Sequence, residues 1–328
     1  MRMAVLGGGS WGTALANLLA IKGYDVCMLM RDRALANNIN ITHINAKYLP
    51  GQSLSPSLRA TVQADEAFAG AEIVLLAVPC QYMRGILRAN AKYFFSSKAV
   101  VCTSKGLELH TLKTMSGVVR EELPQVPYSI LSGPSFAAEI VRGLPAAVVL
   151  GCADKVLGDE LQTVFSTETF RVYFSSDVAG VEVGGAIKNV LAIAVGISDG
   201  LGFGYNARAA LITRGLAEMR RLGVALGARP LTFMGLSGMG DLVLTCTGDL
   251  SRNRQVGLRL AQGKTLVEIS SEMFMVAEGV KTTDAAVELG DRLKVDLPIS
   301  VAVQAVLTGK ISPGDAVRKL MRRDLKEE

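Results

Sequence analysis

Met3-Ala4-Val5-Leu6-Gly7-Gly8-Gly9-Ser10-Trp11-Gly12 sets an apolar run directly against the spacing G-x-G-x-x-G, and Thr13 to Lys22 then continues with helical periodicity. A strand, a glycine turn and a helix in that order mark the start of a dinucleotide-binding unit; the spacing alone would be weak evidence. Each glycine has its own task. Gly7 permits the tight turn, Gly9 lets the backbone close on a pyrophosphate, and Gly12 lets the helix pack against the strand. The N–H groups of the helix start then face the anion. A glycine-rich turn without a ligand is the bland alternative, and the combination of strand, spacing and helix favours the dinucleotide.

Outward from this stretch, composition narrows the class. Of 328 residues, 49% are apolar and 20% charged, enough to bury a large core and to exclude a disordered chain. That length fits two compact domains better than one. Mean hydropathy is positive, yet no stretch of about 20 residues is free of charges and helix breakers, as a membrane span requires. The longest apolar candidate, Val190 to Ile197, lies between Lys188 and Asp199 and reads as a buried helix. Gly7 to Gly9 interrupt the place where a signal peptide would have its apolar helix, so the start reads as mature protein. Five cysteines, widely spaced and without a C-x-x-C pair, indicate neither a disulfide framework nor a metal site, and point to a reducing, cytoplasmic setting. A formal charge of +5, scattered along the chain, suits an anionic small molecule better than nucleic acid.

Short apolar runs alternate with helix-length segments up to about residue 175, the pattern of βαβ units. Strands are expected at Met3–Leu6, Val26–Leu29, Ile73–Ala77, Ala99–Cys102, Tyr128–Leu131 and Ala146–Leu150, with an edge strand at Phe170–Phe174. Beyond Asp177 only helical spacing remains. The fold class expected is α/β plus all-α: a Rossmann-like, mostly parallel, doubly wound sheet over residues 1–180, followed by a helical domain over 181–328.

The residue after the second strand discriminates between cofactors, because a carboxylate there accepts the ribose 2′-hydroxyl of NAD. Here the chain reads Met30-Arg31-Asp32-Arg33. Arg31 suits a 2′-phosphate through charge-assisted bonds, so NADP is preferred, with NAD still open because a shift of one residue would present Asp32 instead.

Reduction of a carbonyl leaves charge on oxygen, and the chain needs a proton donor near that atom. His43 and His110 fall in polar segments and read as surface residues. Lys105, in Thr103-Ser104-Lys105-Gly106, follows a strand at the sheet edge where open α/β folds bind ligands. Lys188, in Gly184-Gly185-Ala186-Ile187-Lys188-Asn189, adjoins a strongly apolar helix, where a lysine is either snorkelling or functional.

These stretches, with Ala77-Val78-Pro79, Leu131-Ser132-Gly133-Pro134-Ser135-Phe136-Ala137, Gly240-Asp241-Leu242 and Ser251-Arg252-Asn253, closely resemble the bacterial-type NAD(P)-dependent glycerol-3-phosphate dehydrogenase family over essentially the whole chain. The resemblance implies interconversion of dihydroxyacetone phosphate and sn-glycerol 3-phosphate for glycerophospholipid synthesis. It makes Lys188 the acid/base lysine and Asp241 the carboxylate that orients it, with Asn189 and Thr245 as further polar contacts. Lys105 then touches both cofactor and substrate. Desolvation and the charge of Lys105 would lower the pKa of Lys188 and Asp241 would raise it, so sequence leaves the net sign open. Gly133, Ser135, Ser251, Arg252 and Asn253 carry over as substrate contacts. Ser10, Trp11, Ala137, Arg252, Val276 and Glu278 carry over as cofactor contacts. On its own chemistry Ser251 is a natural N-cap, and the helix start behind it, with Arg252, suits a phosphate.

Two other readings share the layout. A β-hydroxyacid or ketopantoate-type reductase would need a carboxylate clamp instead of the helix start at Ser251. A non-catalytic dinucleotide sensor would bind cofactor and have no use for Lys188. The partner expected is a small phosphorylated substrate, with no nucleic acid and no membrane span; a homodimer is left open.

Overall fold

Strands made of Val, Ile, Leu and Ala at every position need apolar cover on both faces. The computed structural model describes residues 1–273 and 277–324 and provides that cover. Eight strands, β1 (Arg2–Leu6), β2 (Asp25–Leu29), β3 (Arg59–Thr61), β4 (Ile73–Leu76), β5 (Ala99–Cys102), β6 (Tyr128–Ser132), β7 (Ala146–Cys152) and β8 (Phe170–Ser175), form one sheet in the order β3-β2-β1-β4-β5-β6-β7-β8. Every neighbouring pair is parallel except β6 with β7. Helices α1 (Ser10–Ile21), α2 (Arg33–Thr42), α3 (Ala64–Phe68), α4 (Met83–Asn90), α5 (Met115–Glu122), α6 (Ala137–Ile140) and α7 (Lys155–Phe165) accompany the strands. Met3, Val5, Met28 and Val101 enter one core, while Ala4, Leu6, Cys27 and Val100 enter another, as alternation across a doubly covered sheet demands.

The strand β3 was not expected. Its three residues carry no apolar run, and it is held at the sheet edge by pairing with β2 alone. The edge strand read at Phe170–Phe174 is β8, which ends the other side of the sheet. His43 is half-buried in the left-handed C-cap of α2, not on the open surface, whereas His110 is exposed.

The second half is helical: α8 (Val178–Gly200), α9 (Gly204–Ala225), α10 (Asp241–Thr247), α11 (Arg252–Ala261), α12 (Leu266–Glu272), α13 (Glu278–Leu293), α14 (Pro298–Leu307) and α15 (Pro313–Met321). By contacts the chain divides into Met1–Lys105 with Met115–Val178, and Gly106–Thr114 with the described residues from Ala179 on. A single boundary at residue 180 misses the excursion Gly106–Thr114, which supplies Leu107 and Leu112 to the core of the helical unit.

Helix α8 is the axis of that unit. It is longer than its apolar run because Gly184, Lys188 and Asn189 all lie within it and are buried. Among the described residues it is the one helix long and apolar enough to cross a membrane, but 89% of its most apolar stretch is buried in protein. Glu218 of α9 ties the unit together differently. Its carboxylate accepts from the N–H groups of Ile299 at 2.5 Å and Ser300 at 3.2 Å, closing the N-terminus of α14. Burial pushes this carboxyl up to about 7 against the pull of those donors.

Candidate active site

In the sheet unit, the candidate residues gather at one edge because parallel strands end together. Gly7 follows β1, Arg31 lies just past β2, Lys105 follows β5 and Gly133 follows β6. Gly7 has φ +118°, and a Cβ there would lie 2.3 Å from the carbonyl oxygen of Ala77; a Cβ on Gly12 would lie 2.1 Å from the oxygen of Gly7. Internal packing therefore accounts for both glycines. Gly9 is different. A Cβ on it would meet no protein atom within 4 Å, so this glycine opens space outside the fold's own packing, and no side chain caps the start of α1 behind it. That combination fits the close approach of an anionic group to the helix start. Ser10 donates its hydroxyl to the Tyr48 carbonyl at 2.9 Å, and Trp11 packs on the core with its indole N–H unpartnered among the described residues. Arg31 is exposed.

Lys105, Gly133 and Ser135 come together. The Gly133 carbonyl accepts from Lys105 Nζ at 3.3 Å and from the Ser135 hydroxyl at 2.9 Å. Ala137 opens α6 two residues later.

In the helical unit, a π-helical turn at Leu236–Gly240 runs straight into α10 and presents Asp241. Such turns recur at functional sites. It is placed by α8: a Cβ on Gly184 would stand 2.5 Å from the Ser237 carbonyl oxygen, so only glycine admits the turn this close. Four residues on, on the same face of α8, Lys188 meets Asp241. Its Nζ lies 2.5 Å from Asp241 Oδ1 and 2.9 Å from Thr245 Oγ1. The Thr245 hydroxyl gives its proton to the Asp241 carbonyl at 2.6 Å, leaving its oxygen to accept from the lysine. Lys188 and Asp241 are 7% and 1% exposed, so the pair is an internal one and each charge depends on the other. Cys246 beside it is pushed up to about 12 by burial, so no thiolate competes for the proton chemistry.

A second cluster holds the start of α11. Ser251 caps the helix by accepting from Arg254 N–H, as its position implies. Asn253 Nδ2 donates to Asn189 Oδ1 at 3.0 Å, and Asn253 Oδ1 accepts from Gly279 N–H at 3.0 Å, so α8, α11 and α13 share one amide. Arg252 remains solvent-accessible, although protein crowds around its guanidinium. Surrounding protein pushes its guanidinium below the ordinary arginine range, and the charge of Glu278, first residue of α13, opposes that shift. Val276 lies outside the described residues. Sequence reading overlooked Arg254, which is buried and ion-pairs with Asp199 at 2.8 Å and Asp249 at 3.0 Å, fastening the helix tip to the end of α8. No local signal marks it, because its partner Asp199 lies 55 residues away in the chain.

Two family models meet this arrangement. The N-terminal model of NAD-dependent glycerol-3-phosphate dehydrogenase matches residues 2–157 and the C-terminal model matches residues 177–318. The chain belongs to this family. A glycerol-3-phosphate dehydrogenase (NAD(P)+) of Nitratidesulfovibrio vulgaris is 60% identical over 330 residues, with 100% of each chain covered. The crystal structure of a family member from Coxiella burnetii superposes with TM-score 0.94 at 37% identity, covering 98% of this chain and 99% of that one. A ketopantoate reductase from Ralstonia eutropha reaches TM-score 0.59 at 17% identity over 97% of this chain and 100% of its own, a likeness of fold alone.

Proposed function

We propose that the protein reduces dihydroxyacetone phosphate to sn-glycerol 3-phosphate, reversibly, with a nicotinamide dinucleotide, and that it favours NADPH over NADH. The observation that carries the reading is the buried Lys188–Asp241–Thr245 cluster beside a capped helix start bearing Arg252. A bound dinucleotide supplies the hydride for the C2 carbonyl carbon, or takes it back in oxidation. Lys188 gives its proton to the C2 oxygen during reduction and recovers it during oxidation, the work of a positioned general acid/base. Asp241 and Thr245 aim the ammonium and Asp241 stabilises its charge, so the donor is set before substrate arrives.

The phosphate end of the substrate falls to the tip of α11. Ser251 uses its side chain on Arg254, while the N–H groups of Arg252 and Asn253 have no partner among the described residues. Those groups and the guanidinium of Arg252 suit a dianion. Asn189 orients Asn253 in this role. Lys105, Gly133 and Ser135 form the polar contacts at the sheet edge. Gly7, Gly9, Ser10, Trp11, Gly12, Arg31, Ala137 and Glu278 serve the dinucleotide, with Arg31 toward the 2′-phosphate. Five free, buried thiols fit a reducing compartment, and we place the enzyme in the cytoplasm, where its product is the backbone of glycerophospholipids.

The test is the loss of NADPH absorbance with dihydroxyacetone phosphate, unphosphorylated dihydroxyacetone and a 2-ketoacid in parallel. Turnover confined to the phosphorylated ketone is expected. Turnover with the 2-ketoacid alone would return the ketopantoate-type reading, and tight cofactor binding without turnover would leave a sensor.

A further inference from the structure

Past β2 the chain carries Arg31, Asp32 and Arg33, and in a dinucleotide-binding unit this place meets the adenosine ribose. An available carboxylate would accept the 2′-hydroxyl of NAD and repel the 2′-phosphate of NADP. The preference therefore turns on what Asp32 does with its oxygens. Asp32 Oδ1 accepts the Leu35 N–H at 3.0 Å and caps α2. Asp32 Oδ2 lies 3.6 Å from Nζ of Lys47.

Lys47 is brought there from a loop beyond α2, and both of its flanks are anchored to the glycine turn. Asn45, fully buried, donates to the Gly8 carbonyl at 3.0 Å and to the Thr13 hydroxyl at 2.8 Å. The Tyr48 carbonyl receives the Ser10 hydroxyl at 2.9 Å. Lys47, between these anchors, is thus held near Asp32 by the same turn that would meet a pyrophosphate. Arg31 and Arg33 are exposed, and neither has an ion-pair partner among the described residues. Three cations against one engaged carboxylate leave an excess of positive charge, suited to a phosphate monoester, which carries about −1.5 to −2 at neutral pH.

We propose that Lys47 is a specificity-determining residue of the cofactor site: by holding Asp32 at the helix end and cancelling its charge, it turns a position that would read NAD into one that receives a 2′-phosphate with Arg31 and Arg33. This rests on the reading that the enzyme favours NADPH and that the end of β2 meets the adenosine ribose.

The experiment measures KM for NADPH and NADH in the full-length enzyme and in Lys47→Met, Asp32→Asn and the double variant, with circular dichroism to confirm folding. Asn caps helices as well as Asp, so Asp32→Asn keeps α2 intact. Lys47→Met is expected to raise KM for NADPH about two- to fivefold relative to NADH, the scale of one partly exposed charge pair. Adding Asp32→Asn should restore most of that loss, because the uncovered carboxylate is gone. Raised salt should shrink the discrimination in the unaltered enzyme. An equal rise for both cofactors in Lys47→Met, or a double variant no better than Lys47→Met, overturns the proposal. So does a rise in KM for NADH on Asp32→Asn alone, which would make that carboxylate a ribose acceptor. An unaltered enzyme without any NADPH preference removes the underlying reading as well, whereas a preference that Lys47→Met leaves intact removes only the role of Lys47.

Discussion

Replacing Gly184 by Ala tests whether the close approach of the π-helical turn to α8 sets the geometry of the proposed proton donor, Lys188. The new Cβ would begin 2.5 Å from the Ser237 carbonyl oxygen, and since real Cβ atoms essentially never come within 3.0 Å of a neighbour, the turn must retreat by at least about 0.5 Å. Ser237 lies one helical turn ahead of Asp241, so the carboxylate moves with it and the 2.5 Å contact to Lys188 is lost or skewed. Overpacking costs about 1–3 kcal/mol, and alanine returns about 1 kcal/mol of helix propensity, leaving a net loss of roughly 0–2 kcal/mol. For a chain of this size that lowers Tm by at most about 8 °C. The rate should suffer more. A misplacement of about 1 Å can cost about a hundredfold, so about half that displacement predicts about a tenfold fall in kcat. The assay is kcat for dihydroxyacetone phosphate at saturating NADPH, beside thermal unfolding by circular dichroism. Gly85→Ala is the control: Gly85 lies in α4 and its added Cβ meets nothing within 4 Å, so Tm should rise slightly and kcat stay unchanged. A Gly184→Ala enzyme with lowered Tm but kcat within twofold of the parent would refute the link between helix approach and proton delivery.

Lys188→Ala should lower kcat by about 10²-fold or more, and small primary amines should restore part of the rate. It should also destabilise the fold, because Asp241, 1% exposed, loses its counter-ion, a change of about 3–5 kcal/mol; near-normal turnover would remove the lysine from the mechanism. Asn253→Asp puts a carboxylate against Asn189 Oδ1 in place of a donor, so KM for dihydroxyacetone phosphate should rise while KM for NADPH holds, with about 1–3 kcal/mol lost from stability; unchanged substrate KM would argue against the α11 tip as the phosphate site. Glu218 has a folded pKa of about 7 against 4.5 for the free carboxyl. Between these values the native state binds more protons than the unfolded one, so its contribution is present below pH 4.5 and fades as pH rises through 7, by about 3 kcal/mol. Glu218→Gln should therefore flatten the pH dependence of Tm across that window, and identical pH profiles for the two proteins would show that the carboxyl is not buried in solution.

Part of the candidate site is legible in the sequence alone. Backbone demands select residue types directly: a left-handed turn and a close helix approach select Gly7 and Gly12, and a helix start selects Ser251. Uninterrupted apolar strands require cover on both faces, which indicates the doubly wound sheet. Those signals are local, and the chain states them within a few residues. Four features depend on the packed chain instead. The strand β3 exists only because β2 offers it an edge, and Gly106–Thr114 joins the helical unit only because two leucines find its core. Asp32 shows the limit most clearly. A carboxylate between two arginines could cap a helix, bind a ribose or neutralise a lysine, and residue identity permits all three. In the fold Asp32 caps α2, and a loop brings Lys47 back to within ion-pair distance of it. Lys188 and Asp241 likewise meet across 53 residues through two helices whose approach one missing Cβ permits. Sequence determines which groups a backbone can tolerate and bury; which partner each buried charge finds is a matter of distances that only the packed chain sets.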